Sequence, residues 1–108
     1  MVNSAGFSET GRLVVTASND NTARILDTST GGLLHTLKHN DWVESAIFNE
    51  SDSLVLTAAN DGTANIWDVS NGNLLHTLEG RGAPLIKVKM NETWQQVMAY
   101  DGYGPSFW

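Results

Sequence analysis

The chain states one pattern twice. Residues 2–38 align with residues 43–79 without a gap, and 22 of the 37 positions are identical. Val2, Ser4, Ala5 and Phe7 fall on Val43, Ser45, Ala46 and Phe48, and Leu33-Leu34-His35-Thr36-Leu37 falls on Leu74-Leu75-His76-Thr77-Leu78. A period of this size belongs to stacked units, each of which covers its apolar faces only by leaning on a neighbour. Function is then expected on the surfaces of an array rather than in the pocket of a self-contained fold.

Each unit reads as four short β-runs separated by turn chemistry, with no stretch at helical spacing. In the second copy the runs are Val43–Phe48, Leu54–Ala59, Ala64–Trp67 and Leu74–Leu78. The run Leu54–Ala59 is almost wholly apolar or small, as expected of a strand covered on both faces. Asn60-Asp61-Gly62 supplies a tight reversal, because these residues tolerate the positive φ such turns require. The first copy reads the same way over Val2–Phe7, Leu13–Ser18, Ala23–Leu26 and Leu33–Leu37. A third, degraded copy is expected to place strands at Leu85–Met90 and Gln96–Tyr100. Its hairpin is Asp101-Gly102, and Ser106-Phe107-Trp108 begins its next strand.

Composition narrows the partners. Apolar residues make up 41% of the 108, enough for a packed core. The net charge of −6, with only six scattered Lys and Arg, argues against a nucleic-acid backbone as partner. No apolar run reaches the roughly 18–20 residues of a membrane span, so a membrane is not expected either. The absence of Cys removes disulfides and thiolate metal sites and suits a cytoplasmic setting.

The run Asn60-Asp61-Gly62-Thr63-Ala64-Asn65-Ile66-Trp67-Asp68 resembles the signature of WD-repeat β-propellers, including the Trp-Asp pair that names the family. Leu37-Lys38-His39 is similar to the family's Gly-His segment, with Lys38 in place of the Gly. The near-identity of neighbouring units and their short linker look similar to bacterial multi-repeat propellers. The resemblance implies an all-β partial propeller of four-stranded antiparallel meander blades over residues 1–108. Blade 1 is residues 2–37, blade 2 is 43–78, and an incomplete blade 3 is 85–108.

The same resemblance implies a hydrogen-bonded network in the second unit made of His39, Thr57, Asp61 and Trp67. Asp61 would accept from the His39 ring, His39 would meet the Thr57 hydroxyl, and that hydroxyl would accept from the Trp67 indole. The first unit keeps Thr16 and Asp20 but has Leu26 for the Trp. The third keeps Asp101, with Arg81 where the His would stand and Val97 at the hydroxyl position. These residues are read as buried struts rather than as a nucleophile triad, and no cofactor or metal set is expected. His35 and His76 recur without a second ligand at useful spacing.

For partner contact the candidates are Trp42 in the loop before a first strand, the equivalent pair Asn3 and Glu44, Lys87 nearby in the third unit, and Arg81. The principal reading is a non-catalytic protein–protein interaction scaffold or sensor module, a fragment of a larger propeller. Self-association through open blade edges is the other consequence of an incomplete ring. The competing readings are a propeller enzyme, a hydrolase or lyase with Glu44 at its channel, and a carbohydrate binder using Trp42 and Tyr103.

Overall fold

The computed structural model describes residues 2–49, 51–79, 87–91, 96–101 and 104–107. Every regular element among them is a strand. The first sheet holds β1 (Val2–Phe7), β2 (Leu13–Ser18), β3 (Thr22–Asp27) and β4 (Leu33–Lys38) in chain order. The second repeats this order with β5 (Val43–Phe48), β6 (Leu54–Ala59), β7 (Thr63–Asp68) and β8 (Leu74–Glu79). A third sheet holds β9 (Lys87–Asn91), β10 (Gln96–Asp101) and β11 (Gly104–Phe107). All pairings are antiparallel.

The reversals repeat as faithfully as the strands. Positive φ occurs at Gly11 and Asp52, at Asn21 and Gly62, and at Gly31 and Gly72, three pairs of equivalent positions. A left-handed residue lets the chain turn back within a few positions, and Gly and Asn adopt it at least cost. Gly72 is doubly constrained, since a Cβ there would lie 2.7 Å from His35 Nδ1 of the first sheet. The reversal at Gly31 and Gly72 is also clamped by an aspartate in each unit. Asp27 Oδ1 accepts from Ser29 N and Oγ at 2.8 and 2.6 Å, and Asp68 Oδ1 accepts from Ser70 at the same distances. These bonds, the side-chain hydroxyl foremost, hold both carboxyls below the usual carboxylate range. Asp68 of the Trp-Asp pair is therefore a turn clamp.

The strand faces sort into two cores. Val15, Ala17, Ala23, Ile25 and Leu37 of the first sheet pack against Val43, Ala46, Val55 and Trp67 of the second. The opposite face of the second sheet, with Leu56, Ala58 and Ala64 and the partly buried Ile66 and Leu78, packs against Val88 of β9. The second sheet is thus covered on both sides, which is why β6 is buried from Val55 to Ala59.

The strands run slightly longer than expected at Thr22, Asp27, Lys38, Thr63, Asp68 and Glu79. In the third sheet β9 begins at Lys87, with Leu85 and Ile86 outside the described residues. Asp101 is not a turn residue but the last rung of β10, paired with Gly104. Gly102, Arg81, Trp108 and Tyr103 fall outside the described residues.

Candidate functional site

Two clusters emerge where the first and second sheets meet. The first is buried. His39 follows β4 and is tied to the first sheet by its N–H, which donates to Asn21 O at 2.8 Å. Its ring reaches the second sheet, with Nε2 2.5 Å from Thr57 Oγ1. Trp67 Nε1 donates to the same hydroxyl at 2.9 Å, and the two rings stand edge to face at 5.8 Å. Register explains the meeting: Val55 pairs with Trp67 and Thr57 with Asn65, so alternate residues of β6 and β7 share the face turned to the first sheet. The Thr57 hydroxyl accepts from the indole and keeps a second lone pair and its own proton for His39 Nε2, so the contact fits either tautomer of the ring. Burial disfavours the charged ring and holds the His39 pKa below the ordinary 6.5, with the Asp61 charge opposing it.

Asp61 takes a different partner from the one the resemblance implies. Its Oδ1 accepts from Thr63 N at 3.0 Å and Thr63 Oγ1 at 2.6 Å, leaving His39 to feel only its charge. A short carboxylate reaches the N–H and hydroxyl two residues on without distortion, so the local bond wins. Asp20 does the same with Thr22 in the first unit, at 3.1 and 2.5 Å. Its Oδ2 also meets Arg24 Nη1 at 3.0 Å. The Thr22 hydroxyl above all, then Arg24, lowers the Asp20 pKa to about 2. Thr16 is half-buried, and Leu26 stands where the second unit has Trp67.

One residue of this cluster escaped sequence reasoning. Asn65 is buried, its Nδ2 lies 3.4 Å from both His39 ring nitrogens, and its Oδ1 has no hydrogen-bond partner among the described residues. The available signal was a polar residue between Ala64 and Ile66, at the position that carries Arg24 in the first unit.

The His39 contact predicts a pH dependence. A folded-state pKa below 6.5 means the native chain binds fewer protons than the unfolded chain as pH falls past neutrality. Stability is therefore full above the ordinary imidazole range and is lost as pH falls through it towards the folded value. The urea midpoint is expected to drop between about pH 7.5 and pH 5.5, a window above the carboxylate range, and to drop far less in His39→Gln. Equal slopes in the two proteins would contradict this account.

The second cluster is exposed and lies at one end of the same seam. The ladder of β1 on β2 slips between Val2 and Ser4, and that of β5 on β6 slips between Val43 and Ser45. Asn3 and Glu44 are thus the extra residues of two equivalent β-bulges, devices that re-aim a side chain away from the pleat. Asn3 Nδ2 donates to Asn19 Oδ1 at 2.5 Å and to Val43 O at 3.0 Å, bridging the two sheets. Trp42 is next to Val43. Its carbonyl accepts from Asn60 N at 2.8 Å and its N–H donates to Asp41 Oδ1 at 2.7 Å, while its side chain is 48% exposed. Glu44 is half-buried. Lys87 opens β9, and Asp101 closes β10.

Meander sheets of four strands, stacked face to face and pinned by a buried Thr–Trp–His seam, define a propeller-type repeat module. The chain belongs to the WD-repeat family: the family model described as WD domain, G-beta repeat, matches residues 1–27 and 31–68. No curated protein matches the chain. The all-β sheets are accordingly part of a propeller. Repeats of this family generally mediate protein–protein interaction and are typically non-catalytic scaffolds. The second matched stretch takes in β4 of the first sheet and ends in β7 of the second. The sequence unit therefore crosses the seam from one sheet to the next.

Proposed function

We propose that the chain is a non-catalytic protein-interaction module, one propeller fragment over residues 1–108, whose partner surface is the bulged end of the sheets around Trp42, Asn3 and Glu44. The observation that carries this reading is Trp42, rigidly held through its backbone yet 48% exposed beside two bulges that turn Asn3 and Glu44 out of the pleat. Trp is among the residue types enriched at the energetic centres of protein interfaces. Lys87 and Arg81 extend the same reading to the third unit. A cytoplasmic setting belongs to it, supported by the absence of Cys.

A propeller ring uses about four to eight blades. The described sheets number three, so completion calls for further sheets, from a longer chain or from self-association. An enzymatic reading would need acidic or histidine side chains converging at one end. Of the acidic residues around Trp42, Asp41 is engaged with Trp42 N, which leaves Glu44, and His39 is engaged with Thr57.

Proteins captured on the immobilised chain, identified and titrated singly, test the reading. Trp42→Ala is expected to weaken the specific partner by at least about tenfold, the loss that marks an interface anchor. The urea midpoint should stay unchanged. Undiminished binding by Trp42→Ala, or a hydrolytic activity abolished by Glu44→Gln, would refute it.

A further inference from the structure

Equivalent positions in the two complete units differ in charge at one place. In the first unit Asp20 Oδ2 meets Arg24 Nη1 at 3.0 Å, the one ion pair among the described residues. In the second unit the matching aspartate is Asp61, but Asn65 stands where Arg24 does, and Glu79 stands where Lys38 does. Asn65 is too short to repeat the pair. The Asp61 carboxylate keeps its local bonds from Thr63 and has no cation among the described residues.

A groove of about 320 Å³ lies beside this aspartate. It is lined by Lys38 and His39 at the end of the first sheet, and by Asp61, Thr63, Asn65 and Glu79 of the second. No ion pair joins Lys38 to either acid, and burial disfavours the charged form of His39. The groove therefore carries one more negative charge than positive. It also holds an unmet acceptor. Asn65 is 6% exposed, and its Oδ1 has no hydrogen-bond partner among the described residues. A buried acceptor without a donor is costly, and a donor entering the groove removes that cost.

We propose that this groove takes an arginine side chain of a partner protein, its guanidinium shared between the Asp61 carboxylate and Asn65 Oδ1, with Glu79 adding charge at the rim. The first unit shows the chemistry: the equivalent aspartate, under the same Thr clamp, pairs with a guanidinium that its own strand supplies. A guanidinium presents five donors in a planar fork and serves a carboxylate and an amide oxygen together, whereas an ammonium is a point charge. The groove also adjoins the Trp42 surface, because Asn60, next to Asp61, donates its N–H to Trp42 O at 2.8 Å. The site rests on the protein-interaction reading above and adds a chemical requirement to it: the partner that covers Trp42 brings an arginine.

Titration of the isotope-labelled 108-residue chain with N-acetyl-arginine amide, followed by nuclear magnetic resonance, tests the groove without needing the partner. The Asn65 side-chain amide and the Thr63 amide are expected to shift saturably, with half-saturation on the order of 1 mM, the scale for one side chain presented alone. Asp61→Asn keeps an oxygen for Thr63 and should weaken the probe at least about tenfold, the worth of a charge-assisted hydrogen bond. Glu79→Gln should weaken it about two- to fivefold, as for an exposed charge. Asn65→Arg should supply the first unit's ion pair from within and leave the probe unbound, with unchanged circular dichroism. Trp42→Ala should bind the probe as wild type does. Absence of a saturable shift, equal shifts with the uncharged N-acetyl-citrulline amide, or binding undiminished in Asp61→Asn would overturn the groove and leave the Trp42 surface standing. A probe that binds as expected while Trp42→Ala keeps its full affinity for the captured partner would overturn the Trp42 surface alone.

Discussion

Replacing Trp67 with alanine is expected to destabilise the chain by about 3–5 kcal/mol, the range for deleting a buried large aromatic. Two losses combine. The indole is 6% exposed and belongs to the core shared by both sheets, so its removal opens a cavity lined by residues such as Val15, Ile25 and Val55. Its Nε1 also donates to Thr57 Oγ1, and its face meets the His39 ring edge-on, so a buried hydroxyl and imidazole lose their third member. Domains of this size are stable by about 5–15 kcal/mol in total, so the loss takes a large share. Trp67→Leu is the informative companion, because Leu26 stands at the equivalent place in the first unit. It restores much of the apolar contact but no donor, and should recover roughly half of the loss, the remainder reflecting an unpaired buried group. Urea unfolding followed by circular dichroism measures both. A Trp67→Ala midpoint within error of wild type would show that the seam does not hold the sheets together.

Most of the fold was legible because its signals were local and written twice. Asn60-Asp61-Gly62 and Asn19-Asp20-Asn21 fixed the same reversal, and the positive φ at Gly62 and Asn21 is what those residue types permit. Strand faces followed from alternation once the period was known. The Trp67 to Thr57 to His39 contacts were reachable only through the family resemblance, since His39 lies 18 residues from Thr57 and no spacing rule links them. The Asp61 carboxylate was misassigned for a physical reason. Two donors on Thr63 lie one turn away, and a local bond forms without the cost of ordering anything distant. Asn65 was passed over because a single polar residue in an apolar strand has no pattern of its own. The bulges at Asn3 and Glu44 were invisible as well: a slipped register is a property of two paired strands.

The repeat also permits one substitution to be made twice in different surroundings. Leu37 and Leu78 hold the same place in β4 and β8, pairing with Ala23 and Ala64 respectively. Leu37 is fully buried (0% exposed) between the first two sheets, whereas Leu78 is half-buried against the third. Leu37→Ala is expected to cost about 2–5 kcal/mol, the lost transfer energy plus an unrelaxed cavity. Leu78→Ala should cost about half as much, because part of its side chain is already in water and the space it leaves is open to solvent. Sequence propensity and strand position are identical at the two sites, so any difference belongs to stacking. Urea midpoints of the two variants, measured side by side, decide it. Equal costs would mean that the third sheet covers Leu78 as tightly as the second covers Leu37, and that burial does not follow a sheet's place in the stack.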